Sequence, residues 1–197
     1  MHAWKRWLSY LIKTPPVGRM PHLDFVYRIV CNMGPSFSEI SNVDSSSITR
    51  IVLPILGGSV KGPRIQGKIV ERSGADWLHR SHAQKIRAPL ISITGLPGAF
   101  GRLNARHTLE TDDGIFILVS AQGVFYTGPQ QEIKPPQAVS QDNVEDFPHI
   151  RFEAPGNSHY SWMNAIVAVG VTTMFEGKSV VDRYRLTNFP NQPAAHL

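Results

Sequence analysis

The chain has 197 residues, 42% of them hydrophobic and 18% charged, with 16 Gly, 15 Pro and one Cys. That composition suits a single soluble globular domain rich in turns and poor in long helices, so the expected class is all-β. The net charge of +5 does not point to nucleic acid: Lys5, Arg6, Lys13 and Arg19 lie in the first twenty residues, and the remaining chain is nearly neutral, with no basic stripe to follow phosphates.

Residues 1–21 read as an N-terminal extension. Trp4, Trp7, Leu8 and Leu11 have helical spacing, and Pro15-Pro16 ends the pattern. A short helix is expected there, packed on a barrel end or on a neighbouring subunit, which leaves a homo-oligomer open. A lid or interfacial membrane helix is the competing reading, but one short helix with few cations anchors weakly. No apolar run is long enough to span a membrane, so no integral membrane segment is expected. Trp7–Ile12 is too short and mixed for a secretory signal, and Cys31 has no partner for an intrachain disulfide. A cytoplasmic enzyme or binding protein fits these features.

Residues 22–32 alternate as a first strand, closed by Gly34-Pro35. A Ser-rich loop covers 36–47. Strands are expected over 48–56 and 59–70, separated by Gly57-Gly58, with a bulge or edge at Pro63. Gly74-Ala75-Asp76-Trp77 ends that block, and 78–101 reads as a long insertion of the kind that covers a barrel mouth. The central feature is a hairpin. Leu103–Thr111 alternates, Asp112-Asp113-Gly114 turns, and Ile115–Val119 is apolar on both faces. Asn104, Arg106, Thr108 and Glu110 share one face of the incoming arm, which either meets bulk water or lines an enclosed polar cavity. Val124–Tyr126 continues or restarts a strand, 129–148 is a polar excursion, and His149–Glu153 is a strand. Tyr160–Val171 reads as a long strand with Trp162 and Asn164 on one face, and Ser179–Leu186 as the last strand before a frayed tail, 188–197. Roughly nine strands over 22–187 suggest a closed barrel or a sandwich.

Several blocks in order resemble one family: Leu23-Asp24-Phe25-Val26-Tyr27, Pro54–Gly58, Gly62–Gly67, Gly74-Ala75-Asp76-Trp77, Leu103–Arg106 with Thr111–Gly114, and Tyr160–Asn164. They resemble domain of unknown function 3237, also called uncharacterised protein family 0311. The resemblance implies a lipocalin-like antiparallel β-barrel with a central cavity. The N-terminal extension and the insertion resemble a fungal branch of secondary metabolism that includes a phenalenone-pathway enzyme. There a phenol oxygen adds across the terminal olefin of a reverse-prenyl group and closes a dihydrofuran ring. The resemblance thus implies a small, aromatic, prenylated polyketide as substrate and an intramolecular hydroalkoxylation cyclase; a non-catalytic carrier of an aromatic metabolite is the alternative. Two departures from bacterial members are the longer 78–101 region and His107, where Tyr is frequent.

Under that reading Arg106 supplies a fixed cation for a phenolate, with Asn104 and Thr108 orienting it and Glu110 beside them. The alternative for Arg106 is an ion pair with Glu110 or Asp76. Asp76 is the expected general acid/base, since a carboxyl group in an apolar pocket exchanges protons near neutrality; the alternative is a turn cap. Trp77 and Trp162 offer flat walls for a polycyclic ring, or else pack in the core. Tyr160, Trp162 and Asn164 act together if their face is inward, and Arg64 is a weaker binding candidate. Asp112 and Asp113 are turn residues. His79 and His82 lack a third ligand, and His107 and His159 lack neighbouring Cys or carboxylates, so no metal is expected. Ring closure by hydroalkoxylation is redox-neutral and requires no cofactor. Glycine-rich phosphate loops and a nucleophile elbow are absent from the sequence.

Overall fold

The computed structural model describes residues 18–36, 38–40, 48–81, 100–127 and 144–194. Eleven strands follow in order: β1 (His22–Met33), β2 (Ser38–Ile40), β3 (Ile48–Lys61), β4 (Gln66–Ile69), β5 (Gly74–Ser81), β6 (Phe100–Thr111), β7 (Phe116–Thr127), β8 (Val144–Asp146), β9 (His149–Glu153), β10 (Ala168–Phe175) and β11 (Lys178–Thr187). Neighbour to neighbour the path runs β6–β5–β3–β1–β11–β10–β9–β7, and pairing of β6 with β7 joins its ends, so the sheet closes into an antiparallel barrel. β4 fills the gap between β3 and β6 beyond the end of β5, β8 extends the pairing on β7, and β2 lies on β3. Closure leaves few open edges, which suits a chain this rich in short, turn-linked strands. Among the described residues no helix is long and apolar enough to cross a membrane.

The central hairpin forms as its sequence directs. Leu109 faces Ile117, Arg106 faces Ser120 and Asn104 faces Gln122 across β6 and β7. Gly114 takes φ 82°, the left-handed value that the turn demands and that Gly tolerates, and its N–H donates to the Thr111 carbonyl at 2.8 Å.

Several boundaries differ from expectation. β3 runs unbroken through Gly57-Gly58, because Gly58 packs directly on the β1 backbone at Val30 and is an in-strand contact, not a turn. Gly74–Trp77 opens a strand instead of ending one, since Ala75 and Asp76 pair with both β3 and β6. Tyr160–Val171 is not one strand. Ser158 Oγ donates to the Pro155 carbonyl at 2.7 Å and starts a turn, and Ser161–Ala165 forms a 3-10 helix. Four consecutive buried residues, Tyr160 to Met163, plug the barrel end there, which an alternating strand does not allow. The tail is tied down through Ala194: Asp24 accepts from Arg185 at 2.8 Å and from the Asn191 N–H at 3.1 Å, Arg185 also donates to the Gln192 carbonyl, and Ala194 is buried. The N-terminal helix, His82 and most of the 78–101 insertion and 129–148 excursion lie outside the described residues.

Inside, Ile29, Val60, Ile69, Leu109, Ile117, Val119, Ile150 and Val181 form one cluster with Trp162 and Met163. Full burial of each such aliphatic side chain contributes about 1.5–3 kcal/mol. Gly74 marks where β5 and β6 touch most closely: a Cβ there would overlap the Arg106 carbonyl oxygen and crowd the His107 Cα at 2.8 Å. Gly74→Ala is therefore expected to destabilise by about 3–5 kcal/mol, through backbone displacement instead of lost contacts. A urea midpoint within error of wild type would contradict that close approach.

Candidate functional site

Cross-strand partners project to the same side of a sheet. Asp76 is paired with Ala105 on β6 and with Leu53 on β3, so it shares the inner face with the row Leu103, Ala105, His107, Leu109. Arg106 is paired with Ala75 and Ser120, and Asn104, Thr108 and Glu110 share its side. The polar row of β6 therefore lies on the outer face of the barrel. Arg106 is exposed, and Glu110 forms a surface ion pair with Lys68 at 3.1 Å. The Thr108 backbone N–H donates to Ser73 Oγ at 3.0 Å. Asn104 follows the outer register, though its Oδ1 is enclosed without a partner. Arg106 pairs with neither Glu110 nor Asp76 among the described ion pairs. The inward reading of this row fails because the apolar partner row, not the polar one, packs on the core.

The other sequence candidates scatter. Trp77 lies on the outer side opposite Val52, half-buried. Trp162 is buried in the plug, and Arg64 stacks over its ring with 4.2 Å from guanidinium carbon to centroid. Arg64, Trp162, Asp24 and Arg185 line a surface cleft of about 260 Å³ beneath the tail. The Tyr160 hydroxyl donates to Asp113 Oδ1 at 2.9 Å and pins the hairpin turn. Asn164 brackets Ala154: its Oδ1 accepts the Ala154 N–H at 2.7 Å and its Nδ2 donates to the Ala154 carbonyl at 2.8 Å. Asn164→Ala is expected to cost about 1–2 kcal/mol by unmaking both bonds. Thermal unfolding checks this, and an unchanged midpoint would remove the bracket from the account. His79 accepts from Arg50 Nε at 2.7 Å.

The structure gathers a different set inside the barrel. Arg183 on β11 is paired with Tyr27 on β1 and Gly170 on β10, and Asp146 on β8 is paired with Phe125 on β7. Val181 and Ile29, one step along, are core residues, so Arg183 and Tyr27 point inward with them. Tyr27, His107 and Arg183 are 0%, 2% and 2% exposed. Tyr27 Oη, both His107 ring nitrogens, Asp146 Oδ1 and Arg183 Nε and Nη1 have no hydrogen-bond partner among the described residues. Buried polar groups are normally satisfied, so such a cluster calls for a physical reason. Arg183 lies over the Tyr27 ring at 5.6 Å, a weak electrostatic compensation for a buried cation.

Asp76 has a structural task as well. The β5–β6 register holds at Ala75–Arg106 and Asp76–Ala105 and is next recorded at His79–Arg102. In the interval Asp76 Oδ1 accepts the Asn104 N–H at 2.9 Å. The residue is half-buried by area, yet burial dominates its carboxyl and raises it to about 6 against that hydrogen bond. Burial pushes the Asp146 carboxyl up to about 7, the Asp76 charge adds to this, and Thr172 and Arg183 oppose it. Burial holds His107 neutral, down at about 3, with Arg183 pushing the same way. Burial also raises the Cys31 thiol to about 11 and the Tyr27 hydroxyl to about 12.

These shifts set opposing pH dependences. Folded Asp146 holds its proton between about 4 and about 7, where the unfolded group has lost it, so stability falls as pH rises through that window. His107 does the reverse between about 3 and 6.5, because the unfolded ring takes up a proton that the folded one refuses. Subtracting Asp146→Asn from wild type isolates the first term: the variant is expected to gain relative stability from about pH 4 to about pH 7 and to level off above that. A pH-independent difference would place Asp146 in water.

Fold and site together define a closed antiparallel β-barrel with a cluster of buried polar side chains in its interior. The chain belongs to the family described as protein of unknown function (DUF3237), which matches residues 21–186. A UPF0311 protein of Rhodopseudomonas palustris (strain TIE-1) is 30% identical over 140 residues, 70% of this chain and 80% of the relative. Solved structures share the barrel. A beta-barrel like protein from Acinetobacter baumannii AYE has TM-score 0.66 and 23% identity, covering 88% of this chain and all of the other. A conserved protein of unknown function from R. palustris has TM-score 0.66 and 22% identity over 86% and 99%. An enzyme from Penicillium herquei has TM-score 0.59 and 17% identity over 87% and 98%.

Proposed function

We propose that this chain is a cofactor-independent cyclase that closes an oxygen heterocycle by intramolecular hydroalkoxylation of a reverse-prenylated aromatic polyketide of the phenalenone type. The observation that carries the reading is the buried polar cluster: two carboxyl groups raised towards neutrality, Asp76 at about 6 and Asp146 at about 7, with the buried cation Arg183 near enough to act on Asp146. A structural neighbour described as an enzyme from P. herquei supports catalysis over transport.

The reaction is an isomerisation. An O–C bond forms at the internal olefin carbon, a C–H bond forms at the terminal carbon, the C=C π bond is consumed, and the phenol proton is lost. Full protonation before attack would leave a secondary cation beside a quaternary carbon, open to methyl migration. A single clean product thus requires proton delivery and ring closure in nearly one step, with oxygen and olefin held in near-attack geometry. Asp146 has an oxygen free of protein partners and is the proton donor. Asp76, with one oxygen fixed on the Asn104 N–H, takes the complementary acid/base role. Arg183, not Arg106, is the cation for the phenol oxygen, because Arg106 lies on the outer face. The low dielectric of the barrel interior around the buried Arg183 strengthens that interaction.

The test is a product assay with purified protein and a reverse-prenylated phenalenone, followed by chiral chromatography. Enantioenriched dihydrofuran formed faster than in buffer is expected. Substrate bound without any rate gain would make the protein a carrier and overturn the cyclase reading.

A further inference from the structure

Arg183, Tyr27 and His107 pose a problem that the carboxyl pair does not solve. Taking a guanidinium out of water is costly, and a buried cation normally has a carboxylate partner. Among the described ion pairs none involves Arg183. Its Nε and Nη1 donate to nothing, the Tyr27 hydroxyl donates to nothing, and the neutral His107 ring has one N–H and uses neither nitrogen. The register brings Arg183 and Tyr27 face to face, and Arg183 lies close enough to depress His107 by its charge. The groups that share this interior are Cys31 from β1, Asp76 from β5, Asp146 from β8 and Thr172 from β10. Both carboxyl groups are raised towards their neutral forms, so neither is a full counter-charge. Among the described residues the barrel interior thus has a fixed positive charge and two further donors, the Tyr27 hydroxyl and the His107 N–H, with nothing to receive them.

We propose that Arg183, Tyr27 and His107 form an oxyanion subsite that binds its ligand as an aromatic phenolate or enolate, selecting the ionised ring oxygen over the neutral phenol. This rests on the cyclase reading for the identity of the ligand and extends it to the ligand's charge state. The phenol proton leaves through Asp76 to solvent on binding, the ionised oxygen receives the Arg183 and Tyr27 donors, and Asp146 gives its proton to carbon. Asp146 then regains a proton from solvent, which balances the one released on entry.

A probe that has no olefin tests the subsite without turnover. 4-Nitrophenol is titrated with full-length protein at a mildly acidic pH where the free probe is mostly colourless. Growth of the yellow phenolate band with saturating protein is the expected result. Arg183→Met is expected to weaken binding by about 10- to 100-fold, the span of one charge-assisted hydrogen bond, and to abolish the band; Tyr27→Phe, which keeps the ring, is expected to weaken it less. Circular dichroism checks that both variants fold. Binding of the probe without the band, equal binding of 4-nitroanisole, or an unchanged Arg183→Met would overturn the proposal. Tighter binding of 4-nitrobenzoate would make the site one for carboxylates and overturn it too. Product formation without the phenolate band would sink the subsite alone, whereas the band without product would sink the cyclase reading alone.

Discussion

Asp146→Asn is expected to lower ring-closure turnover by about 10²–10⁴-fold while leaving substrate affinity within a few-fold of wild type. Asparagine keeps the shape and the hydrogen bond to Thr172 but has no proton to give. The carboxyl is suited to the task because burial and the Asp76 charge hold it up at about 7, so a large share of the protein carries the acid at neutral pH. Turnover should therefore fall as pH rises above about 7, as the acid form is lost. Asp76→Asn is expected to cost about 10²-fold. Its oxygen still accepts the Asn104 N–H, so the β5–β6 contact survives and the loss reports chemistry instead of folding. Arg106→Ala, on the outer face, is expected to leave turnover unchanged. Full activity in both Asn variants, measured by product formation per mole of folded protein, would remove the two carboxyl groups from the mechanism.

Arg183→Met is expected to make the ligand-free protein more stable, by about 1–3 kcal/mol, and to abolish productive binding. Both effects have one cause. The wild-type barrel holds a guanidinium, 2% exposed, with two nitrogens unsatisfied and no carboxylate partner among the described residues, and leaving such donors unpaired costs about 1–3 kcal/mol. Methionine fills similar space with no polar atoms, and replacing buried charge with packed apolar side chains is often stabilising. Stability sacrificed at one position for a binding group is a common signature of a functional site. Denaturant titration of wild type and variant decides it. A loss of stability would mean that Arg183 is structurally paired and serves the fold.

The barrel was legible because its signals are local. The Asp112-Asp113-Gly114 turn and the alternation of Leu103–Thr111 each depend on a few neighbouring residues and formed as read; the doubly apolar Ile115–Val119, expected to be buried on both sides, pairs as a strand from Phe116 but leaves Phe116 and Leu118 exposed on the outer face. The plug at Ser161–Ala165 was not legible, since Tyr160–Val171 alternates well enough for a strand. Only the Ser158 turn and the need to close the barrel end reverse it. The site was harder still. Alternation of β6 separated its two faces correctly, but not which face was inside. The polar row drew the attention, whereas His107, set among Leu103, Ala105 and Leu109, marked the interior. Arg183 carried the same signal, two residues from core Val181, and so did Tyr27, two from Ile29. A charged or polar residue in register with an apolar row was the readable clue. Asp146 had no such clue, because its inward aim depends on pairing with Phe125, more than twenty residues away.

Ring closure run in D2O tests the central claim most directly. Wild-type protein, a reverse-prenylated phenalenone and deuterated buffer are combined, and the dihydrofuran is analysed by mass spectrometry and chiral chromatography. One enantiomer in excess, with a single deuterium in the new methyl group, is the predicted result, since the Asp146 acid exchanges with solvent and delivers one deuteron to carbon. Racemic product at the rate of buffer alone would contradict an active site within the barrel.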